Sequence, residues 1–326
     1  MRLPRPAERV VWQTLWGRNP LTLGLLTLMP HGKVDRPIFI VGSPRSGTSV
    51  FSRYFGAHPE LANWSEGHCL FDPFYFNRSS EHRWDARVGT AIGSRRVRSN
   101  VYWFTKYIRA RQRLPIKRFT NKLPRHTVRI PWLLKVFPDA QFVHIIRDGR
   151  AVVRSMIRVI EKNNLQDRPL GSFARPPGWQ EYYQADPYEA HSRQWVGLEE
   201  IVQKDLEGVS PDRIFRTKYE DFIRNTRNIM RDICTQFDLR ADNKAVNRWP
   251  EQLENRNVKW PQECTREQIE TMRRWLSPML VHYGYESSLD WPIPDDNAGS
   301  EERITSATSS TNATSGDAAP VVTAGA

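Results

Sequence analysis

"PIFIVGSPRSGTSVFSRYF", residues 37–55, runs from an apolar, β-branched stretch through a glycine-bearing turn into helix-forming residues. Ile38 to Val41, bounded by Pro37 and Gly42, predicts a buried strand. The residues from Thr48 onward predict a helix that stops near Gly56 and Pro59. Strand, glycine turn and helix in this order lay out a phosphate-binding loop. Gly42 and Gly47 stand at the G-x4-G separation, with Thr48 and Ser49 behind them. A nucleoside-triphosphate loop would carry lysine directly after the second glycine, and here Thr48 takes that place. Successive backbone N–H groups and a helix N-terminus still favour an anion. Arg45 adds a guanidinium that can grip two oxygens at once. The loop therefore suits a donor with a single phosphate beside another charged group, with no metal required. A structural turn, or a degenerate triphosphate loop, is the plain alternative.

A second strand-then-helix unit follows about a hundred residues on, at "VHIIRDGRAVVRSMI" (143–157). "QFVHIIRD" (141–148), introduced by Pro138 and Asp139, predicts a strand. The helix behind it carries Val152, Val153, Met156, Ile157 and Ile160 on one face. Arg147 ends the strand, and Ser155 lies eight residues later with Arg150 and Arg154 close by. A phosphate fits between Arg147 and the Ser155 hydroxyl, because ligands of open α/β sheets sit at the carboxyl ends of the strands. A local Arg147–Asp148 ion pair is the competing reading. A third strand, "RIFRTKYED" (213–221), feeds a helix over "FIRNTRNIMRDICTQF" (222–237). The last helix, "TREQIETMRRWLSPMLVHYGYE" (265–286), opens with a Thr265/Gln268 capping box and closes on Gly284, with Pro278 inside it. Strands alternating with helices predict an α/β fold around a parallel sheet. Residues 60–135 resist assignment and are expected to hold helices and an acceptor-facing loop.

The chain has 326 residues, of which 39% are hydrophobic, enough for one large domain with a substantial core. Its mean hydropathy of −0.62 argues against a polytopic membrane protein. The apolar run "LTLGLLTLM" (21–29) falls short of the roughly 20 residues of a membrane span and lacks a signal-cleavage pattern. Residues 1–36 form an N-terminal arm with two readings: packing on the domain, or shallow membrane contact through residues 1–30, helped by Arg2, Arg5, Arg9 and Arg18. Three dispersed cysteines show neither metal spacing nor a disulfide framework, which points to a reducing, cytoplasmic setting, peripheral to membrane if the arm binds it. The segment from residue 291 grades into Ala, Ser, Thr and Gly and is expected to be disordered.

Net charge is +12, and it is concentrated. Between Arg83 and Lys135 fifteen Lys/Arg face one acid, Asp85, with Trp84, Tyr102, Trp103 and Trp132 interleaved. Such a field draws polyanions. A solvated face and a groove for an anionic ligand or acceptor both fit. No nucleic-acid signature is present, so nucleic acid is not expected as a partner.

Together, "SPRSGTS" (43–49) and "RDGRAVVRS" (147–155) resemble the 5′-phosphosulfate loop and the 3′-phosphate motif of sulfotransferases that use 3′-phosphoadenosine 5′-phosphosulfate (PAPS). The wording "PRSGT", "HP" and "RDGRA…S" is most similar to the tyrosylprotein sulfotransferases and their bacterial relatives. The resemblance covers most of residues 37–290, taken as the catalytic domain. It implies a P-loop-like three-layer fold with a central parallel sheet flanked by helices. It also implies that Arg45, Ser46, Gly47, Thr48 and Ser49 hold the 5′-phosphosulfate, and that Arg147 and Ser155 hold the 3′-phosphate. "AHPELANWSEGH" (57–68) places Glu66 twenty-one residues beyond Arg45, the separation of the family's catalytic base. Glu60 comes too early and is assigned to capping a turn. "NKLPRH" (121–126) makes Lys122 the candidate to neutralise the leaving phosphate. "TKYEDF" (217–222) makes Tyr219 a neighbour of the 3′-phosphate, and "NRNVKW" (255–260) puts Lys259 in a cofactor-covering loop.

The resemblance has gaps. A family arginine on the 3′-phosphate helix falls at Val159, beside Arg158, and the late-loop serine has no counterpart near Asn255. Residues 68–120 show little likeness to the family's peptide-binding region. The expected activity is sulfuryl transfer to an acceptor hydroxyl, with Glu66 as general base and Arg45 and Lys122 stabilising developing charge. A carbohydrate, lipid-linked or small-molecule acceptor, anionic or sugar-bearing, is expected ahead of peptide tyrosine. A P-loop kinase or NTPase and a non-enzymatic polyanion-binding protein are the alternatives.

Overall fold

The computed structural model describes residues 29–71, 94–165, 170–171, 173–255 and 260–293. Its centre is a five-stranded sheet in the order β2–β3–β1–β4–β5, with every neighbouring pair parallel. The strands are β1 (Ile38–Val41), β2 (Leu61–Asn63), β3 (Arg118–Lys122), β4 (Gln141–Ile146) and β5 (Ile214–Lys218). The main helices are α1 (Thr48–Phe55), α2 (Ser94–Gln112), α3 (Ile130–Val136), α4 (Gly149–Lys162), α5 (Pro187–Leu206), α6 (Tyr219–Arg224), α7 (Thr226–Gln236) and α8 (Arg266–His282).

Successive side chains on a strand point to opposite faces, and β1 shows what that does. Phe39 and Val41 enter a cluster with Val97 and Val101 of α2, Leu133 of α3 and Val202 of α5. Ile38 and Ile40 enter another with Phe51 and Phe55 of α1, Phe222 of α6 and Met230 of α7. Helices therefore cover both faces, and β1 and β4 are buried along their whole length, as expected of a parallel sheet. The architecture is the expected α/β three-layer fold. A third cluster locks α4 to α5 and α8 through Val153, Met156, Trp195 and Leu276.

The strands expected at 38–41 and 141–148 form, the second ending at Ile146. The strand expected over 213–221 stops at Lys218, because Tyr219 already begins α6. The helix expected over 222–237 is two helices, broken at Asn225, whose φ of −137° and ψ of 49° leave the helical region. The capping box at Thr265/Gln268 is present, α8 runs through Pro278, and Gly284 follows with φ +66°. Residues 1–28 of the arm and residues 294–326 of the tail lie outside the described residues; at the start of the tail expected from 291, Trp291 is instead buried in the third cluster, its indole N–H bonded to Ser277. From the rest of the arm, Val34 packs into the core and Lys33 pairs with Asp139 at 2.9 Å. No described helix is long and apolar enough to cross a membrane.

Candidate active site

The loop after β1 is held by constraints that only its glycines meet. Gly42 has φ +145°, and a Cβ there would stand 2.4 Å from the Ile145 carbonyl oxygen of β4. Gly47, just ahead of α1, has φ +91°, and a Cβ would enter the Tyr219 ring at 2.3 Å. Both positions lie in the backbone region that side chains disfavour. Thr127 ties the loop down from the far side of β1: its hydroxyl donates to Gly42 O at 2.9 Å and accepts from Gly42 N at 3.2 Å. Arg45 itself takes a left-handed φ of +69°, which turns its side chain toward α4.

There Arg45 Nε donates to Ser155 Oγ at 3.0 Å, and Arg147 Nη1 donates to the Arg45 carbonyl at 2.6 Å. The Arg147 guanidinium also lies over the Tyr219 ring, 4.6 Å from its centre. The result is a cleft of about 250 Å³ that brings Arg45, Gly47, Thr48 and Ser49 of the first motif together with Arg147 and Ser155 of the second, and with Tyr219. Arg154, Arg158 and Trp260 complete its wall. Burial, and then the charge of Arg158, lower the Arg45 pKa. Burial is also the main influence lowering Arg147, with Arg45 adding to it against the opposing effects of Tyr219 and Glu220. Cations placed so close in a partly dry cleft call for an anion. A larger cleft, about 630 Å³, opens at the amino-terminal ends of β1, β4 and β5 between Val34, Phe137 and Arg213, and it gathers none of the motif residues.

Glu66 and Lys122 form a separate pair. Lys122 ends β3, opposite Ile40 of β1, and its ammonium is almost wholly buried. Glu66 N donates to Lys122 O at 2.8 Å, a bond that places the exposed Glu66 carboxylate against Lys122 Nζ in a close ion pair. Glu66 needs a left-handed φ of +59° to make this turn. Both residues stand at the carboxyl edge of the sheet, as the arginine cleft does, but neither lines that cleft.

The Sulfotransferase family model matches residues 37–243, more than half of the chain. The chain belongs to the sulfotransferase family. Protein-tyrosine sulfotransferase A of Caenorhabditis elegans is 25% identical over 226 residues, 68% of this chain and 54% of its own length. The protein-tyrosine sulfotransferase of Drosophila melanogaster is 26% identical over 207 residues, 62% of this chain and 38% of its own. The chain thus spans about half or less of the length of these curated relatives. Among solved structures, a sulfotransferase from Mycobacterium avium gives a TM-score of 0.48 at 16% identity, covering 84% of this chain and 82% of its own.

Several residues singled out on sulfotransferase grounds sit differently from their expected roles. Ser46 is fully buried and does not line the cleft; its Oγ has no hydrogen-bond partner among the described residues. Arg150 is a structural group: its guanidinium bonds Asp148 and Glu286 and lies against the rings of both Trp260 and Trp291, 4.8 Å from each centre. Asp148 pairs with Arg150 at 2.9 Å, and its negative charge also favours the charged form of Arg147. Glu60 does more than cap a turn. Its buried carboxylate holds Lys117 at 2.8 Å and accepts from Arg240 N at 2.8 Å, and these contacts outweigh burial to lower its pKa. Lys259 lies outside the described residues.

The cleft also holds a residue that sequence reasoning passed over. Trp260 ends the stretch "NRNVKW", in which only Lys259 carries an expected role. Glu263, one turn further on, pairs with both Arg154 (3.2 Å) and Arg158, so part of the wall charge is already neutralised.

Proposed function

We propose that the chain transfers a sulfuryl group from PAPS to an acceptor hydroxyl. The observation that carries this reading is one cleft in which Arg45 of the first motif hydrogen-bonds Ser155 of the second. Its donor set fits a bisphosphate: guanidinium groups, hydroxyls, and the N–H groups at the start of α1. The buried Ser46 hydroxyl, without a partner, fits a loop that tightens around a ligand. PAPS, when bound, supplies the activated sulfuryl group and a phosphate leaving group.

Arg45, Thr48, Ser49 and the loop amides hold the 5′ end, with the Ser46 backbone among them. Arg147 and Ser155 hold the 3′-phosphate beside Tyr219, and Lys259 belongs to the cover. Glu66 accepts the proton of the acceptor hydroxyl, and Lys122 Nζ, released from Glu66, balances charge on the departing phosphate. The acceptor is a hydroxyl compound. The expectation against peptide tyrosine finds no support in the relatives, whose names specify protein tyrosine, so tyrosine in protein stands beside carbohydrate, lipid-linked and small-molecule acceptors.

Thermal shifts with adenosine 3′,5′-bisphosphate, ATP–Mg²⁺ and heparin test the donor. Stabilisation by the bisphosphate alone is expected; a response to ATP–Mg²⁺ alone would turn the reading to a kinase or NTPase, and to heparin alone to a polyanion binder. Radiolabelled PAPS with tyrosine peptides, oligosaccharides and lipid-linked sugars then identifies the acceptor.

A further inference from the structure

Beneath the phosphate loop lies a carboxylate to which no role has been given. Glu199, on α5, is completely buried. One of its oxygens, Oε1, accepts from the Ser43 hydroxyl at 2.6 Å. The other, Oε2, accepts from His144 Nε2 at 3.0 Å and from the Tyr283 hydroxyl at 3.0 Å. Ser43 belongs to the loop, three residues after the Ile40 that faces Lys122. His144 belongs to β4, three residues before Arg147. Tyr283 caps α8 and is held in turn by Gln203 Nε2 at 3.0 Å. One carboxylate thus touches the loop that carries Arg45 and the strand that delivers Arg147.

We infer that Glu199 is a positioning residue that fixes the phosphate loop against β4 and so sets the spacing of the two anion-binding motifs. The inference rests on the donor reading above for its functional consequence, though its structural content does not. A buried carboxylate is costly unless its lone pairs are satisfied, and here three donors from three elements satisfy it. Burial raises the Glu199 pKa, but His144, Ser43 and Tyr283 outweigh this and hold it below the usual range, so the group stays an acceptor for all three. Ser43 Oγ has that acceptor on one side and the chain of the loop on the other. Fixing the hydroxyl therefore fixes the start of the turn whose Ser46 N–H bonds Ser43 O at 3.1 Å. Loop amides aimed before the anion arrives need no reorganisation when it binds.

Glutamine is not neutral here. Its amide offers an acceptor on one side only and presents N–H to the other. Glu199→Gln therefore either reverses the Ser43 hydrogen bond, turning that hydroxyl into an acceptor, or sets N–H against the His144–Tyr283 pair. In both cases it removes the charge that orients the donors. Ser43→Ala removes only the loop contact. Tyr283→Phe removes a bond to the same carboxylate without touching the loop.

The experiment measures adenosine 3′,5′-bisphosphate affinity by calorimetry and amide hydrogen exchange over residues 43–48, on the full chain and the three variants. Ser43→Ala and Glu199→Gln should each weaken nucleotide binding about tenfold, equal to about 1.4 kcal/mol. Their double variant should be no weaker than the worse single one, and both singles should speed exchange of the loop amides. Tyr283→Phe should lower the melting temperature and leave affinity within twofold of wild type. Unchanged affinity and loop exchange in folded Ser43→Ala overturns the inference, even if Glu199→Gln fails to fold, as does strict additivity of the two singles. A wild-type chain that ignores the nucleotide would instead sink the donor reading, and loop exchange alone would then decide the positioning role.

Discussion

The two halves of the candidate site are built on opposite electrostatics. In the donor half, Arg45 spends its Nε on a hydroxyl and its carbonyl on Arg147, so two guanidinium groups share one small cleft. Burial works against both charges, with Arg158 adding to it at Arg45 and Arg45 adding to it at Arg147. In the acceptor half, Lys122 is more buried than either arginine, yet it sits in an ion pair with Glu66. In the first half Glu263 and Glu220 offset part of the charge of the wall, and the cluster still draws an anion; in the second the lysine is balanced directly by Glu66. It follows that ligand anion should stabilise the donor half at once, whereas proton transfer by Glu66 requires Lys122 to give up its contact.

The sharpest way to separate the halves is Glu66→Gln. Gln keeps an oxygen for Lys122 but cannot take a proton. Sulfuryl transfer should fall about 10²- to 10⁴-fold, the usual range for a lost general base. Adenosine 3′,5′-bisphosphate affinity should stay within about threefold of wild type, since Glu66 does not line the arginine cleft. Near-normal turnover in radiolabelled PAPS assays would end the assignment of Glu66.

The donor half breaks at Gly47. Alanine there must hold φ near +91° and place its Cβ inside the Tyr219 ring. Left-handed strain of about 1–2 kcal/mol adds to overpacking of about 1–3 kcal/mol. Urea midpoints should therefore report a loss of about 2–5 kcal/mol, together with loss of nucleotide binding. A variant as stable as wild type would mean that Tyr219 does not press on the loop.

The same division explains what could be read from the chain. The donor half is local: a strand, a turn and a helix follow one another within about twenty residues, each with its own signal, and β1, α1, β4 and α4 form as expected. The acceptor half depends on β2 and β3, neither of which announced itself. β3 reads "RFTNK", with no apolar run, yet all five residues are buried: Phe119 lies in the core, and Arg118, Asn121 and Lys122 find partners far along the chain. Arg118 reaches Asp35 at 3.4 Å, Asn121 donates to the Trp64 carbonyl, and Lys122 meets Glu66. β2 has only three residues, too few for any period to show. α5 was hidden for a related reason. Its buried face carries His191, Gln194 and Glu199 among the apolar side chains, which blurs the helical stripe. Glu66 stands out only through the separation from Arg45 that the family resemblance supplies, and its pairing with Lys122 needs β3.

A milder change keeps a charge in the donor half and alters only its shape. Arg147→Lys retains a cation but loses the planar fork and the stacking on Tyr219. Nucleotide affinity should drop about tenfold, and Arg147→Ala should lose more, about 1.5–3 kcal/mol in all for a charged hydrogen bond. Equal affinity for Lys and Arg at this position in calorimetry would show that charge alone, and not bidentate geometry, holds the 3′ end.

The last effect is a slope with pH, and it tests how dry the acceptor half is. His68 follows Glu66 by two residues, and burial, then the charges of Arg129, Arg125 and Lys122, push its pKa down to about 3. His126 is fully buried and is lowered in the same direction for the same first reason. In the unfolded chain both titrate near the ordinary histidine value of about 6.5. Below that pH the unfolded chain binds more protons than the native one, so the contribution is fully present above pH ~6.5 and is lost as pH falls toward the folded values. One such group contributes about 1.4 kcal/mol per pH unit inside the window. The stability difference between wild type and His68→Gln should therefore shrink by about that slope between pH 6 and pH 4, followed by urea unfolding at each pH, with His126 still sloping the variant's own curve. A difference that stays flat would mean that His68 protonates freely in the folded protein. The wall beside Glu66 would then be open to water, and the contrast between a self-balanced acceptor half and an anion-seeking donor half would lose its physical basis.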